Sequence, residues 1–257
     1  MPLLFLCDIL KARQKRGEKK VQKLYQKSQI LFSVAFIIAY VVGASFFDGL
    51  SSAIKAPHLI TILFLAILTA LLLFFLRNNR LFEHYGLCKA KITAKKMLFY
   101  LPFLLFACMN LVFGVAINFS PLQTALFIVK MAFVAFLEEL IFRGLLFKAM
   151  AEGGIKSAVL VSSITFGIGH IVNLFNGSGM TLVSNLFQIV TAVAIGFVFT
   201  LVVIKTKSIW AVFAAHFVIN AFSAFSAEVS FYQHIIVAAI IILVSALYCL
   251  YIIKFVK

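Results

Sequence analysis

Apolar windows long enough to cross a bilayer as helices dominate this 257-residue chain and leave little sequence for anything else. Eight can be drawn, approximately at 29 to 47, 57 to 76, 97 to 117, 122 to 149, 155 to 174, 181 to 204, 208 to 226 and 232 to 253. A hydrocarbon core about 30 Å thick needs roughly 20 mostly apolar residues in a helix. The chain is 64% hydrophobic, with 30 Phe, and its 12% of charged residues falls well below the 25% or so of a soluble domain. Its main solvent is therefore lipid. The expected fold is all-α, a polytopic membrane protein with about eight transmembrane helices.

A net charge of +15 would suggest a nucleic-acid partner in a soluble protein, but here the positions of the charges argue otherwise. Of 23 Lys and Arg, 20 fall on one alternating set of connections and the two termini, while the opposite set holds only Lys55, beside Asp48 and Glu228. Lys/Arg-rich connections stay cytoplasmic, so both termini are expected there. A basic segment gains about 1 kcal/mol per residue near anionic lipid. Membrane lipids, not nucleic acid, are the partner the charge implies.

The first ten residues, MPLLFLCDIL, are apolar but precede the basic cluster, the wrong order for a cleavable signal peptide. They read as a cytoplasmic or interfacial segment. Cys7, Cys88, Cys108 and Cys249 show no CxxC pairing and are expected to be free thiols. No internal repeat is visible, and residues 77 to 96 form the longest polar connection.

Charged and imidazole groups at membrane depth are costly, about 2.5 to 3.5 kcal/mol each for Asp, Lys or Arg, so each needs a reason. The candidates are Lys130, Glu138, Glu139 and Arg143 in the fourth window, His170 in the fifth, Gln188 in the sixth, and His216 and Asn220 in the seventh. At about 1.5 Å per residue, Glu138, His170, His216 and Asn220 lie roughly 18, 22, 12 and 18 Å from the cytoplasmic ends of their helices. Three helices thus bring their polar groups to one layer.

Helical phase divides their work. Glu139 and Arg143 are spaced i, i+4 with the acid first, as an ion pair on one face requires. Glu138 is rotated about 100° from Glu139 and points elsewhere. A carboxyl held away from bulk water suits a general acid or base. A nearby imidazole could orient the same water, and His216 with Asn220, again i, i+4, could donate to an oxyanion. Gly167 and Gly169 leave room beside His170 for backbone or substrate. Structural readings stand beside these: Glu139 with Arg143 as a neutralised pair, His170 as a helix-to-helix hydrogen bond, Lys130 snorkelling or lining a cavity, and Gln188 in packing.

EELIFRG (138 to 144) resembles the EExxxR motif of the CPBP intramembrane proteases, also called the CAAX protease and bacteriocin-processing or Abi family. TFGIGH (165 to 170) is similar to the family's FxxxH motif through Phe166 and His170, and HFVIN (216 to 220) to its HxxxN motif. The resemblance spans about 122 to 227. It divides the chain into a basic segment (1–28), a variable membrane region of three spans (29–121), a catalytic core of four (122–227) and a final span with its tail (228–257).

The resemblance implies an intramembrane endopeptidase, a hydrolase acting on peptide bonds near the cytoplasmic face. Its substrate would be a peptide or membrane-associated protein, prenylated in the CAAX branch. Glu138 and His170 would activate water, His216 and Asn220 would hold the oxyanion, and Glu139, Arg143 and Phe166 would support the site. No metal or other cofactor is expected; two His and a Glu are also a permissible zinc set, and a zinc metalloprotease is the alternative. Bacterial members of similar composition resemble bacteriocin immunity proteins, so a bacterial cell membrane is the expected location. A non-proteolytic binding protein and a proton-coupled transporter are the competing classes; the latter should show inverted repeats and broken helices, which the sequence does not.

Overall fold

The computed structural model describes residues 20–176 and 179–256; Cys7, most of the 1–28 segment and the last residue lie outside it. Among the described residues the regular secondary structure is all helical, apart from one isolated bridge between Val115 and Ser226.

Helical turns at 20–27 lead into α1 (Gln29–Ala53), followed by α2 (Leu59–Asn78) and the short α3 (Leu101–Cys108). Next come α4 (Pro121–Glu138), α5 (Ile155–Gly169), α6 (Leu182–Thr206), α7 (Trp210–Phe222) and α8 (Phe231–Phe255). Local chemistry starts these helices where the polar connections end. Ser120 and Ser230 form capping boxes with Gln123 and Gln233, Pro121 takes the first position of α4, and Ser28 and Thr181 accept from Leu31 and Ser184 backbone N–H groups.

Five helical segments are long and apolar enough to cross a membrane: Gln29–Ala53, Leu59–Asn78, Ile155–Leu174, Leu182–Thr206 and Phe231–Phe255. The outward stripe Leu31, Ile38, Val42 and Phe46 of α1 is exposed, as are Leu63, Ile67, Leu71 and Phe74 of α2. Contiguous apolar surface of this kind faces lipid. The fourth window is also one helical rod, α4 running through π-helical turns at Glu139–Leu146 into Phe147–Ala151.

Two windows depart from a simple span. In the third, only the eight residues of α3 are α-helical, about 12 Å of helix. Left-handed Leu98, Phe99 and Tyr100 precede it, and turns ending at Gly114 (φ 129°) follow. Tertiary partners take over the backbone pairing that the broken helix gives up: Tyr248 Oη donates to the Met97 carbonyl at 2.8 Å, and the Ala116 N–H donates to the Phe225 carbonyl at 2.9 Å. The seventh window holds the 13-residue α7 and a 3-10 turn at Ser223–Phe225.

Polar connections gather at two opposite ends of the bundle. At one, the connection after α2 is tied to the α6–α7 turn: Lys91 N–H donates to the Thr206 carbonyl, and Ile209 N–H to that of Gly86. At the other, Asn118 Nδ2 donates to the Ala224 and Ser226 carbonyls, and Ala227 N–H to that of Gly114. Helices α5 and α6 touch backbone to backbone between these ends. A Cβ on Gly167 would lie against the Val193 side chain and 2.9 Å from its backbone nitrogen, and one on Gly196 would lie 3.2 Å from Ser163 Cα.

Candidate active site

Glu138 is the last α-helical residue of α4, and the eight residues after it wind as a π-helix. Such turns are rare and concentrate at functional sites. Ser162 Oγ of α5 donates to the Phe142 carbonyl at 2.8 Å within that stretch. The change of winding alters the 100° steps assumed from the sequence, yet the expected pair forms: Arg143 Nη1 donates to Glu139 Oε1 at 3.0 Å, with both side chains fully buried.

Arg143 also lies over the Phe166 ring, its guanidinium carbon 3.9 Å from the ring centroid, and 5.4 Å from that of Phe199. Aromatic faces attract a cation, so two rings and one carboxylate hold this charge away from lipid. Phe166 has a second use. Its carbonyl lies 3.0 Å from His170 Nδ1, so Nδ1 is the protonated nitrogen and Nε2 of a neutral imidazole keeps its lone pair. Asn185, fully buried on α6, donates from Nδ2 to the His170 carbonyl at 2.8 Å, where α5 tightens into the 3-10 turn His170–Leu174.

Glu138 has a partner that Glu139 lacks, although the two glutamates share His216. Glu138 Oε1 accepts from Tyr40 Oη of α1 at 2.6 Å. Its Oε2 is buried, has no hydrogen-bond partner among the described residues, and lies 3.5 Å from His216 Nε2. His216 Nδ1 faces Glu139 Oε1 at 2.8 Å. His216 therefore stands between the two glutamates with each ring nitrogen aimed at one of them. It is only 5% exposed and does not line the main cavity.

That cavity has a volume of about 630 Å³, and its wall includes Glu138, Phe166, Gly169, His170 and Asn220. Asn220 contributes a side-chain amide with no hydrogen-bond partner among the described residues. A Cβ on Gly169 would meet nothing within 4 Å, so this glycine opens the wall beside His170, while Gly167 serves the α5–α6 contact. Lys130 lines the cavity too, its Nζ 3.2 Å from Asp48 Oδ1, and Thr61 Oγ1 donates to the same oxygen at 2.7 Å. Gln188 lies on the wall and accepts from Asn173 Nδ2 at 2.9 Å.

The structure thus joins Glu138, Glu139, Arg143, Phe166 and His216 in one contact network, and it sets His170 and Asn220 on the cavity that Glu138 faces. Among the described residues there is no group of three His, Cys, Asp or Glu side chains that could hold a metal ion. Tyr40, Asp48 and Asn185 touch the candidate residues Glu138, Lys130 and His170, and sequence reasoning missed them. Asn185 carried a usable signal, an amide within an apolar window. Tyr40 carried none, since a tyrosine there reads as ordinary packing.

Residues 119–222, which contain α4 through α7, match the family model described as type II CAAX prenyl endopeptidase Rce1-like. This is the CPBP family that the three motifs resemble, and its members are intramembrane peptidases. No curated protein and no solved structure gave a match. Five long apolar helices and the match to a membrane-protease family model together support an integral membrane protein.

Proposed function

We propose that this chain, with an Rce1-like core at residues 119–222, is an intramembrane endopeptidase that hydrolyses peptide bonds with water activated by Glu138 and His170. The observation that carries the reading is the orphaned Glu138 Oε2 beside a roomy cavity that also holds His170 and Asn220. A buried carboxylate oxygen without a partner calls for one, and a water is the simplest.

In the proposed reaction the water oxygen attacks the scissile carbonyl carbon and its proton passes to Glu138 Oε2 or His170 Nε2. The resulting oxyanion accepts from the Asn220 amide. The C–N bond then breaks, the held proton goes to the departing amine, the second water proton follows it from the new carboxylic acid, and a carboxylate and an ammonium leave. His216, grouped with Asn220 as an oxyanion donor in the sequence reading, is assigned instead to orienting Glu138, because both its nitrogens already face carboxylates. Tyr40 fixes the other oxygen of Glu138. Glu139 and Arg143 are positioning residues that hold His216 and Phe166. No metal takes part in this scheme. Eight crossings with cytoplasmic termini complete the proposal, the third made by α3 and its flanking turns.

Mass spectrometry of membrane peptides from cells carrying the wild-type protein or Glu138→Gln tests it. New peptide termini that appear only with the wild type support proteolysis. Identical peptide sets, with equal protection of cells from a bacteriocin by both proteins, would move the chain to the binding class.

A further inference from the structure

We infer that the cavity holding Glu138 opens on the face of the membrane away from the cytoplasm, so that its substrate is a peptide segment already on that side. The rim names the face. Asp48 and Ser52 stand at the end of α1, Pro57 and His58 before α2, Asn118 just before α4, and Ser223 after α7. These chain ends all belong to one end of the bundle, the one tied together by the Asn118, Gly114 and Phe225 contacts.

Charge separates the two ends. Among the described residues the opposite end carries fourteen Lys and Arg in its connections and terminal segments, and the rim end carries Lys55 alone. Lysine and arginine are retained on the cytoplasmic side when they lie in short connections near span ends. A bias of fourteen to one therefore sets the rim end outside.

Packing closes the basic end. Below Glu138 the helix continues through Leu140 and Ile141, neither exposed at all, and the Glu139–Arg143 pair is equally enclosed. Tyr85, 1% exposed, lies against Gly144, where an added Cβ would come 3.3 Å from the Tyr85 carbonyl oxygen. A separate small cavity of about 130 Å³ reaches Arg143 from that end, but Glu138 does not line it. Glu138 is reached from the rim.

The resemblance to CAAX proteases led us to expect cleavage near the cytoplasmic face, where a prenylated tail would lie; the charge and the cavity together favour the other face. The substrate class becomes an exported peptide, or the outward-facing end of a membrane-embedded one. This substrate assignment rests on the proteolytic reading, whereas the direction of opening does not.

The test therefore reads orientation without using activity. In a cysteine-free background, Ser52→Cys places a thiol on the cavity rim and Lys91→Cys one on the basic end; both positions are exposed. A membrane-impermeant sulfonated maleimide is added to intact cells and to inverted vesicles. The expected result is labelling of Ser52→Cys from outside intact cells and of Lys91→Cys only in inverted vesicles. The reverse pattern, or labelling of Ser52→Cys from both sides, overturns the inference. Should the cysteine-free protein fail to fold, reporters fused after Lys257 of the native chain give the answer: a fluorescent cytoplasmic reporter supports it, and an active exported phosphatase refutes it. Failure in either format leaves the peptide-terminus experiment untouched, so the two readings fail separately.

Discussion

Replacing Tyr40 by Phe deletes one hydroxyl from a side chain that is only 6% exposed and leaves the packed ring in place. The hydroxyl donates to Glu138 Oε1 at 2.6 Å, from a helix outside the segment that matches the protease family. A hydrogen bond to a charged group contributes about 1.5 to 3 kcal/mol. If the bond serves to aim Oε2 at water, its loss falls on the transition state, and at 1.36 kcal/mol per factor of ten kcat/KM drops roughly 10- to 150-fold. A fluorogenic peptide assay on purified protein in lipid nanodiscs measures this, with KM unchanged because the cavity wall keeps its ring. The mechanism also demands non-additivity. Adding Tyr40→Phe to Glu138→Gln should cost nothing further, since the first residue acts through the second. A folded Tyr40→Phe protein with kcat/KM within about threefold of wild type, well below the range expected from the lost bond, would refute the positioning role.

Arg143→Met removes the cation paired with the fully buried Glu139 and leaves it only His216, and removing one partner of a buried pair costs about 3 to 5 kcal/mol. Thermal unfolding should show a large loss that adding Glu139→Gln partly restores; equal stability of the single and double variants would argue against the pair. Gly167→Ala drives a methyl into the Val193 backbone and side chain, and overpacking of this kind costs about 1 to 3 kcal/mol. Gly169→Ala meets nothing within 4 Å, so it should unfold like wild type, and the ordering of the two melting temperatures checks the assignment. Activity should survive exhaustive chelation in protein shown by metal analysis to hold no zinc. Loss of activity on chelation, with recovery on adding stoichiometric zinc, would restore the metalloprotease alternative.

The sequence made the membrane architecture legible because twenty apolar residues in a row have few other solutions. It made the Glu139–Arg143 pair legible because an i, i+4 spacing within one helix needs no tertiary knowledge. The convergence of polar groups from three helices at one depth followed from counting residues, and the 3.5 Å approach of Glu138 to His216 agrees with it. What stayed hidden depends on contacts between distant segments. Tyr40 lies 98 residues from Glu138, and Asp48 lies 82 from Lys130; neither residue type signals its partner. His216 and Asn220 do share a helix face as their spacing requires, but which way an imidazole turns is decided by the carboxylates it meets. The π-helical turns after Glu138 leave no mark in composition. In the third window, hydropathy reported lipid-compatible content but not the backbone, which breaks at Leu98–Tyr100 and again at Gly114.

Cleavage of a membrane-associated peptide by purified wild-type protein and by Glu138→Gln addresses the central claim most directly. The substitution keeps the side chain's shape and removes its ability to take a proton, and positioned acid–base groups contribute about 100- to 10,000-fold to rate. The account predicts that wild type cuts the peptide and that Glu138→Gln, equally folded and equally able to bind it, is slower by a factor in that range. Unchanged cleavage by the folded variant would remove Glu138 from the mechanism.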